Sequence, residues 1–407
     1  MKIYCEPGAL AQALAQVAAA VPSRPRVPIL SCVLLTAKGD RLTVSATDLG
    51  LGIACRLPAR VEREGAVAVS FARLVGSMAP SSRQGTKRKT AQEGHSPADA
   101  VEMDAGSMSV SVSSGRRRAT ISGAAAGDFP VLPTLEHAGA GEGWTLRLDL
   151  PLLCSMVEQV ACAADPRDEW SARHQPGFRP LYARVLLVAQ GGRITLAARG
   201  AGALALCEGP LVPPWGGACA LVLPAGNLAK IMPLLQETGE PSVQVALAAG
   251  RERVLFHTPG LDVVCSLPEQ KFAEFGHLMP GTATSRALVA RAPLAAALDF
   301  VDFVASRNGS VVELCTQPES GTLLVCARDR AMGEQSTQIG VSVAADAAGF
   351  RCETVSFLLK RAVEAARASA LSLEWYAGED TLVVRSHEAD CSSAYAILGG
   401  SARAQGE

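Results

Sequence analysis

The sequence predicts an α+β chain in which one domain is repeated three times, each copy setting two helices on antiparallel sheets. Three observations carry that expectation. The phrase GDRLTVSATD, Gly39 to Asp48, returns as GGRITLAARG from Gly191 and as SGTLLVCARD from Ser320. A matching run precedes each copy: SCVLLTAK (Ser31 to Lys38), ARVLLVAQ (Ala183 to Gln190) and SVVELCTQ (Ser310 to Gln317). The chain is 407 residues long and 48% hydrophobic, enough for roughly two to three domains with buried cores.

Each pair of runs reads as a β-hairpin, because a polar turn separates two stretches in which branched or Leu residues alternate with small ones. An amphipathic helix comes before each hairpin. Its apolar positions are Leu10, Leu14, Val17 and Val21 in the first copy, Leu153, Met156, Val157 and Val160 in the second, and Leu294, Leu298, Val301 and Ala305 in the third. A second helix follows each hairpin, through Phe71, Leu74, Val75 and Met78, then Leu228, Ile231 and Leu235, then Val355, Leu359, Ala362 and Ala366. Further strand pairs close each copy: MSVSVSSGRRRATISG, RVLFHTPGLDVVCSL and DTLVVRSHEADCSSAYAIL. EHAGAGEGW (Glu136 to Trp144) and MPGTATSR (Met279 to Arg286) read as linkers, which puts the domains at 1–135, 143–280 and 284–407.

Composition narrows the function. Lys and Arg total 38 against 39 Asp and Glu, a net charge of −1, so nucleic-acid binding has to rest on charge segregated to one surface. The start lacks a basic segment followed by an apolar core, and no run of eighteen apolar residues occurs; a cytoplasmic protein is expected. The twelve cysteines include no C-x-x-C pair and read as reduced, buried small hydrophobes, with no metal and no cofactor. An enzyme is not expected: the six histidines are scattered, and the hydrolase, P-loop and zinc-protease motifs are absent. GAGEG (Gly139 to Gly143) does not join a strand to a helix, so it reads as linker rather than phosphate cradle, and His174 as a loop hydrogen bonder.

RPRVPILSCVLL from Arg24, followed by GDRLTVSATDL, resembles the opening of the bacterial DNA polymerase III beta subunit, the sliding clamp. GDFPVLP (Gly127 to Pro133) is similar to that family's first domain ending, and KFAEFGHLMP (Lys271 to Pro280) falls where its second domain ends. The resemblance spans nearly the whole chain and is strongest in the first domain. It implies a DNA-clamp architecture, a head-to-tail homodimer ringing duplex DNA without reading its sequence. In that role the protein is a processivity factor, or an accessory clamp paralogue, that tethers a polymerase or repair protein near the nucleoid and is opened by a clamp loader. By position in the family, Arg24, Arg73 and Gln175 match its DNA-facing surface, with Arg26 and Arg179 beside them; Lys360, Arg361 and Arg367 suit an inner helix of the third domain. For the dimer interface, GRRRATI offers Arg116, Arg118 and Ile121, facing Asp299, Phe300, Asp302 and Phe303 of the third domain. A solvated strand end is the equal alternative for the arginines. The long polar segment 81–99, with Lys87, Arg88 and Lys89, reads as a mobile loop, either a phosphate collector or a solvated insertion.

The resemblance also has departures. Where the family carries T-D-G-H-R-L in its partner-peptide pocket, this chain has RGAGAL (Arg199 to Leu204); F-N-x-x-Y appears as FRCET from Phe350, and the C-terminal M-P-[MI]-R is replaced by ILGGSARAQGE. Tyr182, Arg199, Leu204, Pro224, Leu228, Ile397 and Leu398 form the expected pocket, and the loss of its polar members implies a changed partner, such as a specialised or translesion polymerase. The rival reading is a decoy or scaffold that keeps the fold and no longer encircles DNA.

Overall fold

Glycines in the left-handed backbone region turn the first hairpin of every repeat: φ is 63° at Gly39, 59° at Gly191 and 62° at Gly321. A side chain at those angles is strained, which is why the recurring phrase opens on glycine. The computed structural model describes residues 1–78, 100–106, 108–115, 117–135, 144–164, 183–200, 202–247, 252–268, 279–343 and 349–398. Two compact units are formed, one from Met1–Arg147 with Pro233–Leu267, the other from Leu148–Met232 with Pro268–Glu407, so the second repeat contributes to both.

In the first unit, β1 (Lys2–Cys5), β2 (Cys32–Lys38), β3 (Arg41–Thr47), β4 (Leu51–Arg63), β5 (Gly65–Ser70), β6 (Val101–Ala105), β7 (Ser109–Ser114) and β8 (Arg117–Ala124) belong to the first repeat. They pair in the order β1-β6-β7-β8-β5-β2-β3-β4, and β4 returns to β1, closing a circuit. Strict alternation buries one face. Val33, Leu35, Leu42, Val44 and Ala46 are fully covered, and α1 (Pro7–Val17), with Leu10, Leu14 and Val17 buried, packs on β3 and β4. Val21 lies beyond the end of α1 and is half-buried, because the helix tightens into a 3-10 turn at Ala18–Ala20. α2 (Phe71–Met78) buries only Leu74; Phe71 is half-buried and Val75 is 40% exposed, contrary to the expected apolar stripe. After β8, the chain recrosses the sheet and Leu132 fits over Gly52, where a Cβ would come within 2.4 Å of Leu132 Cδ2.

The second unit repeats the plan with β10 (Arg184–Gln190), β11 (Arg193–Arg199), β12 (Ala203–Pro210) and β13 (Cys219–Pro224) of the second repeat, in the order β13-β10-β11-β12. The third repeat supplies β17 (Ser285–Ala290), β18 (Val311–Gln317), β19 (Thr322–Asp329), β20 (Gly333–Val343), β21 (Arg351–Val355), β22 (Ala370–Tyr376), β23 (Thr381–His387) and β24 (Ser392–Leu398). On these strands lie α3 (Leu150–Ala161), α5 (Arg291–Ala305) and α6 (Ser356–Ala365), with α4 (Ala225–Gln236) between α3 and α5 in the chain. Asp149 caps α3, its carboxylate accepting from Leu152 N at 2.8 Å, and the expected apolar positions of α3 and α5 are all buried.

Each unit contains a junction between successive repeats built by one rule: the fourth strand of a repeat pairs with the last strand of the next. Leu51–Cys55 of β4 runs antiparallel to 261–265 of β16 (Leu261–Ser266), which continues through β15 (Arg253–His257) and β14 (Ser242–Leu247) to β9 (Thr145–Asp149), the first strand of the second repeat. Ala203–Glu208 of β12 runs antiparallel to Ser392–Ile397 of β24 in the same way. All twelve cysteines are free, and among the described residues no His, Cys, Asp and Glu cluster could hold a metal. No helix among them is long and apolar enough to cross a membrane.

Candidate nucleic-acid interface and partner surfaces

The segment Val21–Val27 leaves the end of α1 through Pro22 and Pro25, too stiff to continue the helix, and presents Arg24 and Arg26 to solvent. Arg73 stands exposed one residue before the buried Leu74 on α2. None of these three guanidinium groups has a hydrogen bond or ion pair among the described residues, so they remain available to an anion. The expected cations of α6 are differently placed. Lys360 Nζ holds Asp299 Oδ1 at 2.5 Å, Arg367 Nη2 holds Glu158 Oε2 at 2.6 Å, and Arg361 lies 6.0 Å over the Phe357 ring, its Nη1 3.5 Å from the Cys162 carbonyl. Hydrogen bonding to Asp299 holds the Lys360 amine above its ordinary value. All three are thus engaged within the fold, Lys360 and Arg361 from α6 and Arg367 from just beyond its end. Gln175 and Arg179 lie outside the described residues, as does the segment 81–99.

The expected interface residues that are described fall on one strand and one helix. Arg118 is exposed on β8, whereas Ile121 is 4% exposed and turned into its own core, so the strand offers backbone there rather than that side chain. Arg116 lies outside the described residues. On α5, Phe300 and Phe303 are 53% and 59% exposed, Asp302 is half-buried, and Asp299 is already bound to Lys360. Beyond those expectations, β20 stands out. It pairs with β19 along Gly333–Gly340 and with β17 only at 341–343, and none of its described side chains is fully buried. Gln335 Oε1 on this strand is buried without a hydrogen-bond partner. The 117–122 stretch of β8 likewise pairs on one side only, with β7.

The expected pocket residues do not form one surface. Leu204 pairs with Ala396 and packs with Tyr376, Val383 and Ala394 beneath Met279 and Ala283. Ile397 pairs with Ala203, one step along β24, so its side chain points to the opposite face of the sheet from Ala396. Leu204, Leu228 and Ile397 are each 1% exposed; Pro224 and Arg199 are half-buried. Tyr182 and the Leu398 side chain lie outside the described residues.

Sequence reasoning missed two ionic clusters. Across the first junction, Arg56 pairs with Asp262, whose other oxygen is 2.6 Å from His257 Nδ1. Glu374, 2% exposed, is held by Arg286 and Arg385, each at 2.7 Å. The only available signal was a charged residue in a strand-like run, which does not identify its partner.

Comparison with known proteins gives a likeness of sequence and fold. The family model for the DNA polymerase III beta subunit, N-terminal domain, matches residues 1–78. The beta sliding clamp of Streptomyces coelicolor is 28% identical over 316 residues, 76% of this chain and 75% of the relative. The beta sliding clamp homolog GriR of Streptomyces muensis is 39% identical over 74 residues, 18% of this chain and 20% of that one. The sliding clamp structure from Bacillus subtilis superposes with a TM-score of 0.81 at 16% identity, covering 98% of both chains, which speaks to fold.

Proposed function

We propose that this chain, a divergent member of the bacterial DNA polymerase III beta subunit family, joins a second clamp-type subunit head to tail to encircle duplex DNA as a non-enzymatic tether. One observation carries the reading. Two junctions pair the fourth strand of a repeat with the last strand of the next, β4 with β16 and β12 with β24. The same rule leaves one fourth strand, β20, and one last strand, β8, each paired on one side only over most of its length, 333–340 and 117–122. Such ends are heterologous, and in a chain of repeats they close into a ring when a second subunit completes the rotation. Closure also removes two exposed edges that otherwise invite aggregation.

The helices support the same reading. At the second junction α3 of one repeat packs against α6 of the next, tied by Arg367 and Glu158. By that rule the helices left without a neighbour from another repeat are α5 and α2, which pack on α6 and α1 of their own repeats. α5 carries the exposed Phe300 and Phe303, and α2 the exposed Val75. Arg24, Arg26 and Arg73 supply cations for phosphates, a contact that is independent of sequence and sensitive to salt.

The partner held by the ring is a polymerase or repair protein docking near Leu204 and Pro224. The burial of Leu204, Leu228 and Ile397, with Leu204 and Ile397 on opposite sheet faces, supports a changed recognition there. The same burial favours the second reading, a scaffold that keeps the fold without encircling DNA. One experiment separates the two. Subunits are assembled on nicked circular plasmid under conditions where native mass shows two together, and the DNA is then linearised. Retention on circles with loss from linear molecules is expected of a ring; equal, salt-labile binding to both would leave the scaffold.

A further inference from the structure

The two strands with an open side do not match each other in charge. β8 opens with Arg117 and Arg118, both exposed, and Arg118 has no ion pair among the described residues. Its solvent-side neighbours Thr120 and Ser122 are neutral. On the other end, β20 reads GEQSTQIGVSV, with Glu334 as its one acid. That carboxylate accepts from Arg328 Nε at 2.9 Å and is held below its ordinary value by that hydrogen bond, so it is already answered. The exposed positions that follow Glu334 on the same face are Ser336 and Gln338. On α5, Asp299 is spent on Lys360, and the half-buried Asp302 lies in the field of the same lysine. The internal junctions differ in this respect. Arg56 meets Asp262 across the first, and Arg367, just past the end of α6, meets Glu158 of α3 across the second.

Resting on the ring reading above, we propose that the basic edge of β8 receives a second, non-identical clamp-type subunit whose counterpart of β20 bears carboxylates, so that this chain belongs to a mixed ring. Complementary potential across an interface selects partners and sets register more than it adds raw affinity. A second copy of this chain offers β8 a strand of Gln, Ser and Thr, which leaves Arg118 desolvated without an opposite charge. A strand of the same fold with acids at the Ser336 and Gln338 positions answers it. The backbone ladder and the exposed Phe300 and Phe303 are the same in both cases, so charge alone decides between the mates.

The test uses a copy carrying Ser336→Glu and Gln338→Glu as stand-in for the acidic mate. Both positions are exposed, and an unchanged melting temperature checks that folding is retained. Sedimentation equilibrium at about 50 mM salt should show the double variant associating at least roughly tenfold more tightly than wild type. The gain should vanish at about 500 mM salt, where the Debye length falls to a few ångströms. It should vanish equally when Arg118→Glu is added. Wild type dimerising as tightly as the double variant overturns the mixed ring and leaves ring closure standing. Failure of both proteins to associate overturns the closure reading and this proposal together.

Discussion

Glu374 on β22 is covered except for 2% of its side chain, yet it is a carboxylate among two arginines and a phenol. Arg286 and Arg385 each approach to 2.7 Å, and Tyr376 donates its hydroxyl at 2.8 Å. Burial on its own raises a carboxyl, but the bonds from Arg385 and Tyr376 and the two cationic charges outweigh it and leave Glu374 below its ordinary value. A depressed acid stabilises the fold above its unfolded value near 4.5, and the contribution is lost as pH falls through the lower folded value. Because Arg286 is 61% exposed, solvent screens its share, and Arg385 is the main partner. Glu374→Gln should therefore cost about 2 kcal/mol at neutral pH in urea melts, with the gap to wild type closing below pH 4.5. A gap that stayed constant into acid would deny the carboxylate this role. None of this was legible in the sequence, where SLEWY gives no reason to prefer Arg385 to any other arginine. Asp262 teaches the same lesson, since its partner Arg56 stands 206 residues away. By contrast, Leu10, Val33, Leu35, Leu298 and Leu359 were readable as core, because spacing along one element decides which face each occupies.

At the scale of elements, the hairpins were legible for a local reason: alternation and a turn glycine lie within one short stretch, and the three left-handed glycines fall at the expected turns. α2 was less legible, since its apolar residues are spaced for a helix but the sheet beneath covers only Leu74. The edge condition of β20 could not be read at all. Its place in the repeat is that of β4 and β12, and only the pairing pattern shows that 333–340 has a strand on one side alone. The seating of Leu132 over Gly52 is another contact between distant segments. Gly52→Ala should lower stability by about 1 to 2 kcal/mol, because the flexible tip of Leu132 can move aside at moderate cost. Calorimetry of Gly52→Ala and of Gly52→Ala with Leu132→Ala checks this: the second change should remove most of the clash, and an additive loss would argue against the contact.

For the whole molecule, the balance of charge matters less than where charge is left unanswered. Arg24, Arg26 and Arg73 are exposed and unpaired among the described residues, whereas Lys360 and Arg367 are already matched within the fold. Replacing the first three with Ala should leave the melting temperature unchanged. The slope of log affinity for duplex DNA against log salt should shrink by about 2 to 3, one phosphate contact contributing roughly 0.9. Lys360→Ala should instead release Asp299 and alter stability, with little change in that slope; the reverse result would move the DNA surface to α6. The sequence by itself determined the number of repeats, the strand and helix types, and the family resemblance, because period, turn chemistry and motif order are properties of neighbouring residues. Tertiary structure alone decided which cations stay free, which strands keep an unpaired side, and that Leu204 and Ile397 turn to opposite faces. Those outcomes depend on pairing between segments far apart in the chain, and no local pattern encodes which distant group will arrive to satisfy a charge or a backbone edge.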